Sequence, residues 1–154
     1  MARGGTYALV ITLKEGLRLR IGKLGIHDFP PGYYVYVGSA LGGLHGRLKH
    51  HLKSEKRVHW HVDYLLQRAA VVQIWYALEE DRLECTWNAI LAKLPGAAPI
   101  IAGFGASDCR CTSHLTHFRT TPPFDLFKQS LERHWLPQVH RLNELSLCAT
   151  VQAR

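Results

Sequence analysis

Two stretches of this sequence carry side chains whose types and spacing are suited to chemistry. In residues 32–52, an alternating strand pattern that includes Tyr36 is followed by a glycine-rich loop and then by a helix pattern. Leucines recur every four residues on this helix, and Arg47 and His51 lie one turn apart on its other side. The unit therefore places a tyrosine near an Arg/His pair that faces solvent or a substrate.

The second stretch holds two thiols and an imidazole within six residues, at Cys109, Cys111 and His114. With Cys85 or His117 as a fourth ligand they could form a tetrahedral zinc site. The C-x-C spacing is tighter than that of most structural zinc sites, so the sequence favours loop or buried thiols over zinc. A third interpretation is that His114, with the acid that precedes Cys109, lines an active-site cleft.

These stretches resemble a known family. Tyr36-Val37-Gly38 resembles the second half of the GIY-YIG nuclease signature, and Gly5-Thr6-Tyr7 resembles the first half. Arg47 falls where that superfamily has its helical arginine, and Glu84 falls where it has a metal-binding glutamate at the start of a later helix. Residues 103–115, GFGASDCRCTSHL, resemble the hallmark of one branch, which sometimes occurs joined to endonuclease III-type DNA-repair domains.

The resemblance implies a hydrolase that cleaves phosphodiester bonds with an attacking water. It gives Tyr7 the role of general base, and gives Tyr36 the role of orienting water or phosphate. Arg47 would neutralise phosphate charge, and Glu84 would hold Mg²⁺ or Mn²⁺. His51 could relay a proton. A free phenol titrates near ~10, and we expect Arg47 and a metal to lower the pKa of Tyr7.

Each of these residues also has an ordinary structural interpretation. Tyr7 and Tyr36 could be strand tyrosines, and Arg47 and His51 a solvated helix face. Glu84 could be an acid that the helix dipole favours at a helix start. The occurrence of all of them in the order of the family favours the functional interpretation.

The composition points to a polyanionic partner. The chain has 154 residues, of which 47% are hydrophobic, and a formal net charge of +7 with a pI near 9.5. These values exclude a disordered chain and favour DNA or RNA as a partner. The expected nucleic-acid contacts are Arg18, Arg20, Ser39, Lys49, Lys53 and Arg57. Two alternatives remain open: a nucleic-acid-binding module without catalysis, and a zinc-stabilised interaction domain.

Histidines are concentrated near the expected site. His50, His59 and His61 lie close to His51 in the sequence. They could be surface histidines beside a basic patch, or His59 or His61 could supply the general acid of the reaction.

The sequence also predicts the cellular setting. The first residues run directly into a strand pattern, and no segment is long and apolar enough to span a membrane. We therefore expect a cytoplasmic protein without a membrane partner. Its four cysteines are expected to be thiols or ligands rather than disulfides. The resemblance suggests association with DNA-repair proteins, and the oligomeric state is left open.

The predicted fold is α/β, with a small, mostly antiparallel central sheet flanked by helices. We expect a nuclease-like domain over residues 1–122 and a helical extension over residues 123–154, which Pro137 divides into two helices. Residues 17–22 are expected to form a hairpin with the first strand. The predicted strands are residues 6–13, 17–22, 32–38 and 69–78, and the predicted helices before the extension are residues 44–52, 59–66 and 81–94.

Overall fold

The computed structural model describes residues 3–143 and has a mixed α/β fold. The strands are β1 (Gly5–Leu13), β2 (Leu17–Arg20), β3 (Ile26–Phe29), β4 (Gly32–Ala40), β5 (Ala70–Leu78), β6 (Ala98–Pro99), β7 (Leu115–Phe118) and β8 (His140–Leu142). The α-helices are α1 (Leu44–Leu52), α2 (His61–Leu66), α3 (Glu84–Ala92) and α4 (Phe124–Arg133). The predicted α/β class with an antiparallel central sheet is confirmed.

The central sheet has six strands in the order β6-β7-β4-β1-β5-β8, and every pair is antiparallel. Strand β1 lies inside the sheet, and all of its residues except Thr12 are buried. This confirms the central strand that its β-branched, apolar composition predicted. Strands β2 and β3 form a separate two-stranded sheet.

Helices cover both faces of the sheet. On one face, α1 and α2 pack against alternate residues of β1 and β4, including Tyr7 and Tyr36. On the other face, Trp87 of α3 and Phe127 of α4 pack around Trp75 of β5. Because side chains alternate along a strand, the two tyrosines share the α1 face.

Four expectations about the elements are wrong. Strand β2 pairs with β3 rather than with β1, whose two edges are occupied by β4 and β5. Strand β4 continues to Ala40, beyond the predicted end at residue 38. Helix α3 is shorter than predicted, beginning at Glu84 and ending at Ala92, and α2 begins at His61.

The C-terminal part begins as predicted and then departs from the prediction. Helix α4 packs into the core, but the expected second helix after Pro137 is a strand, β8, which pairs with β5. A turn follows Arg133, with a φ of 55° at Trp135, and residues 136–139 then lead into β8 without helical structure. The rest of the expected extension, residues 144–154 with Cys148, lies outside the described residues. Among the residues described, no helix has the length and apolar character to cross a membrane.

Candidate functional site

Pairing of β1 with β4 brings Tyr7 and Tyr36 together. Tyr7 lies opposite Gly38, and the two tyrosine rings have centroids 6.2 Å apart. A Cβ atom on residue 38 would lie 2.6 Å from the hydroxyl oxygen of Tyr7. Only a residue without a side chain leaves room for that hydroxyl, so Tyr7 requires the glycine that lies two residues after Tyr36.

His51 reaches this pair from helix α1. The hydroxyl of Tyr7 lies 2.8 Å from Nε2 of His51, and both side chains are buried. The His51 ring is also 6.2 Å from the Tyr36 ring, centroid to centroid. The helix therefore places an imidazole, rather than an apolar side chain, against the buried hydroxyl of Tyr7.

Asp63 of helix α2 completes the arrangement, and the sequence analysis missed it. Its Oδ1 lies 3.2 Å from Nδ1 of His51, and its Oδ2 lies 3.1 Å from Nε2 of His50. The same Oδ2 accepts hydrogen bonds of 2.9 Å from the backbone N–H groups of His59 and Trp60. The carboxylate is fully buried, and four donors surround it.

The charge of the Asp63 carboxylate determines which atoms of His51 and Tyr7 carry protons. Burial alone would raise the pKa of Asp63, but hydrogen bonds from His51 and from the backbone outweigh it and hold the pKa well below its usual range. Asp63 is therefore ionised and accepts a hydrogen bond from the protonated Nδ1 of His51. Nε2 of His51 then has a free lone pair, which accepts a hydrogen bond from the hydroxyl of Tyr7. Burial lowers the pKa of His51, so the imidazole is neutral.

Arg47 lies beside the same hydroxyl. Its guanidinium donates a hydrogen bond of 3.1 Å to the backbone oxygen of Ser39 and stacks on Trp60, with Cζ 4.1 Å from the ring centroid. Its charge and a hydrogen bond lower the pKa of Tyr7, but burial is the stronger influence and raises that pKa to about 12. Burial also raises the pKa of Tyr36. Arg47 therefore lowers the pKa of Tyr7 as expected, but in the protein alone burial outweighs this effect.

Glu84 is the first residue of α3. Its carboxylate charge adds to the rise of the pKa of both Tyr7 and Tyr36 that burial mainly causes. Oε1 of Glu84 lies 3.9 Å from Arg82, and Oε2 lies 4.0 Å from Nδ1 of His114. The side chain is 22% exposed, which leaves its oxygens accessible to a cation. A single carboxylate of this kind suits Mg²⁺, which retains several waters and uses few protein ligands.

A Cys/His cluster lies next to Glu84. The three sulfurs of Cys85, Cys109 and Cys111 and a ring nitrogen of His114 all lie within 4.8 Å of one another. Burial raises the pKa of the Cys85 thiol to about 12 and also raises that of Cys111. The cluster could bind a metal ion. Its fourth member is Cys85, because His117 instead hydrogen bonds to the backbone oxygen of Pro31.

A sequence family matches most of the chain, including the site. The sequence model described as Domain of unknown function DUF123 matches residues 6–136. The chain belongs to this family. The matched range contains Tyr7, Asp63 and the whole Cys/His cluster, and it also contains helix α4. No curated protein and no solved structure matches the chain.

The basic residues that were expected to contact nucleic acid lie in two separate parts of the DUF123 domain. Lys49, Lys53 and Arg57 are exposed on α1 and the segment after it, beside the tyrosine site, whereas Ser39 is half-buried. Arg18 and Arg20 are exposed on the separate β2-β3 sheet, and Arg18 lies 2.9 Å from Asp28. Part of the charge expected to contact nucleic acid is therefore already paired within the protein.

The two histidines considered as the general acid, His59 and His61, contact other groups of the DUF123 domain. Nδ1 of His61 accepts a hydrogen bond of 2.8 Å from the N–H of Gly105, and burial lowers the pKa of His61. The side chain of His59 stacks edge-on against Trp60, with ring centroids 4.2 Å apart. Neither side chain belongs to the series of hydrogen bonds that runs from Tyr7 through His51 to Asp63.

Proposed function

We propose that this protein is a divalent-metal-dependent endonuclease that hydrolyses phosphodiester bonds of DNA. The observation that carries the proposal is the hydrogen bond between Tyr7 and His51, because it connects the expected general base to a neutral proton acceptor. It supports the resemblance to GIY-YIG nucleases, which concerned residue order alone. A role in DNA repair or processing, and association with repair proteins, are parts of the same proposal.

In this mechanism the protein's own residues handle the protons. A phenol with a pKa near 12 is a poor base unless its proton can leave, and His51 is placed to take it. Asp63 then stabilises the imidazolium that forms, as a buried carboxylate does in other acid–base triads. Tyr7 as phenolate can accept the proton of an attacking water, while Tyr36 orients that water or a phosphate oxygen.

Positive charge for the phosphate comes from Arg47, with its planar set of donors. Both tyrosines are closed to solvent, whereas Arg47 and Glu84 are half-buried and mark the side from which substrate approaches. Substrate binding therefore requires Arg47 to exchange the backbone oxygen of Ser39 for a phosphate oxygen. Glu84 would hold Mg²⁺ or Mn²⁺, which supplies Lewis-acid stabilisation of the phosphoryl oxygens.

The experiment is cleavage of labelled branched, nicked, single-stranded and double-stranded DNA, and of RNA, with Mg²⁺, Mn²⁺ or EDTA. Wild type is compared with Glu84→Ala and Tyr7→Phe. We expect cleavage of at least one DNA substrate, its loss in EDTA and in Glu84→Ala, and a decrease of about 10²-fold or more in Tyr7→Phe. Matched controls are Glu80→Ala, an exposed acid before α3, and Tyr33→Phe on the other face of β4; both should retain wild-type rates.

A second candidate function is nucleic-acid binding without cleavage. The net charge of +7 and the exposed Lys49, Lys53 and Arg57 favour it. Such binding would be equal in wild type and Glu84→Ala and would weaken steeply with salt. If every substrate remains intact while binding follows this pattern, the nuclease proposal is wrong and the binding module stands.

A third candidate, a zinc-stabilised interaction domain, is favoured by the Cys/His cluster. We propose that the metal of this cluster is Zn²⁺, because three thiolates and one imidazole are a donor set of structural zinc sites. A zinc site of this kind is compatible with catalysis at Glu84, since the two sets of ligands are different residues.

A further inference from the structure

The geometry of the Cys/His cluster fits a closed tetrahedral site. Zinc–sulfur bonds of about 2.3 Å and a zinc–nitrogen bond of about 2.0 Å give tetrahedron edges of roughly 3.5–3.8 Å. Nε2 of His114 lies 3.3 Å from Sγ of Cys109 and 3.8 Å from Sγ of Cys85. Four protein ligands leave no open position for a substrate, so a metal held here is structural.

The backbone already prepares His114 for this role. Its Nδ1 lies 3.3 Å from the carbonyl oxygen of Val37, to which it donates its proton. Nε2 therefore presents its lone pair to the sulfurs. Histidines that bind metals typically have their second nitrogen hydrogen-bonded in this way, which fixes both the tautomer and the ring orientation.

The cluster is joined to both sides of the proposed catalytic site. Cys85 directly follows Glu84 in α3. On the other side, the backbone oxygen of His114 accepts a hydrogen bond of 3.1 Å from the N–H of Val37, which directly follows Tyr36. The loop that carries the other ligands packs against the Tyr36 ring, because a Cβ on Gly105 would lie 2.8 Å from its Cε1.

We propose that the Cys/His cluster is a structural zinc centre that positions Glu84 and Tyr36 relative to each other. The role assigned to those two residues rests on the proposed nuclease function, whereas the zinc centre does not. Zinc bonds tie the start of α3 to a loop that has little regular structure of its own. Without the metal, Glu84 and Tyr36 lose their shared anchor.

The first test measures the metal itself in the full-length protein. We expect one zinc per chain by elemental analysis, and after exchange with Co²⁺ the absorption of a tetrahedral cobalt–thiolate centre. Cys109→Ser and Cys111→Ser should lose stoichiometric zinc and this spectrum, whereas Ser107→Ala, at an exposed position of the same loop, should retain both. Wild-type protein without zinc and without the cobalt spectrum, or with a disulfide between cluster cysteines, overturns the proposal.

The second test measures positioning without relying on activity. Amide hydrogen exchange is compared in zinc-loaded and chelator-treated protein. We expect exchange to rise at least tenfold in the segments that contain Tyr36 and Glu84, and to remain unchanged in the β2-β3 sheet. Equal exchange at Tyr36 and Glu84 with and without zinc refutes the positioning role.

Cleavage assays distinguish this proposal from the nuclease proposal. If the wild type cleaves DNA, Cys109→Ser with added Mg²⁺ should cleave at least tenfold more slowly, and an unchanged rate refutes positioning. If the wild type cleaves nothing, the nuclease proposal fails, while zinc content and hydrogen exchange still decide the zinc centre.

Discussion

The hydroxyl of Tyr7 and Nε2 of His51 lie 2.8 Å apart in the interior, 44 residues apart in the sequence. Each of the two groups is unusual for a buried position, and each satisfies the other. Asp63 extends this pair, because its carboxylate accepts a hydrogen bond from Nδ1 of His51. Three elements, β1, α1 and α2, thus contribute to one hydrogen-bonded chain that ends at a buried negative charge.

Asp63→Asn should weaken both the fold and the catalysis. The change removes a charge that accepts four hydrogen bonds, for which we expect a loss of about 1.5–3 kcal/mol in the free energy of unfolding. An amide can donate to Nδ1 of His51, which moves the ring proton to Nε2 and blocks transfer from Tyr7. Cleavage should therefore decrease by about 10²-fold or more. Urea unfolding and cleavage rates measure the two effects.

Two further measurements separate positioning of His51 from general destabilisation. Nitrogen NMR of His51 should show the proton on Nδ1 in wild type and on Nε2 in Asp63→Asn. Asp28→Asn, at an exposed carboxylate paired with Arg18, should change neither stability nor cleavage appreciably. If the NMR tautomer is the same in wild type and Asp63→Asn, the assigned role of Asp63 is wrong.

The elements around this chain were predictable to different degrees. Residues 6–13 and 44–52 gave correct elements because their apolar periodicity is local and strong. The predicted partner of β2 was wrong, because an alternating pattern indicates a strand but not the strand with which it pairs. Strands β6, β7 and β8 have two to four residues each, which is too short for a periodic signal.

The candidate site divides in the same way. The family resemblance indicated Tyr7, Tyr36, Arg47 and Glu84. It did not indicate Asp63. Its importance depends on how α1 and α2 lie against each other, which no local pattern encodes. The one signal was its position as the third residue of α2, where an acid can receive the backbone N–H of Trp60.

The stability of the protein should fall as the solution is acidified below about pH 6.5. Burial lowers the pKa of His51 from 6.5, so the unfolded chain takes up this proton at a higher pH than the folded protein does. The free energy of unfolding therefore decreases as pH falls from about 6.5 to the lowered pKa, below which the loss is complete. His61, whose pKa burial also lowers, adds to the same trend. Urea unfolding at a series of pH values measures the slope.

His51→Gln isolates the contribution of His51. A glutamine has no titrating group, so the dependence of stability on pH should be flatter than in wild type. His140→Gln, at an exposed histidine of the edge strand β8, should keep the wild-type slope. Equal slopes in wild type and His51→Gln would mean that His51 does not resist protonation in the folded state.

Gly38→Ala should displace the hydroxyl of Tyr7. The added Cβ would lie 2.6 Å from that hydroxyl oxygen and 2.7 Å from Cζ of the ring, so the buried ring or the strand must move. Overpacking of this kind costs about 1–3 kcal/mol in the free energy of unfolding. A shift of about 1 Å in a reacting group lowers the rate by about 10²-fold. Urea unfolding and DNA cleavage report the two consequences.

Gly46→Ala is the matched control, because it adds the same methyl group to helix α1 in open space. An alanine in a helix is favoured over glycine by about 0.5–1 kcal/mol, so this variant should be slightly more stable and fully active. Gly38→Ala with wild-type cleavage would mean that the reaction does not require the hydroxyl of Tyr7 where the hydrogen bond to His51 places it. If Gly38→Ala cleaves DNA slowly while Gly46→Ala is fully active, the loss of activity results from the contact between residue 38 and Tyr7.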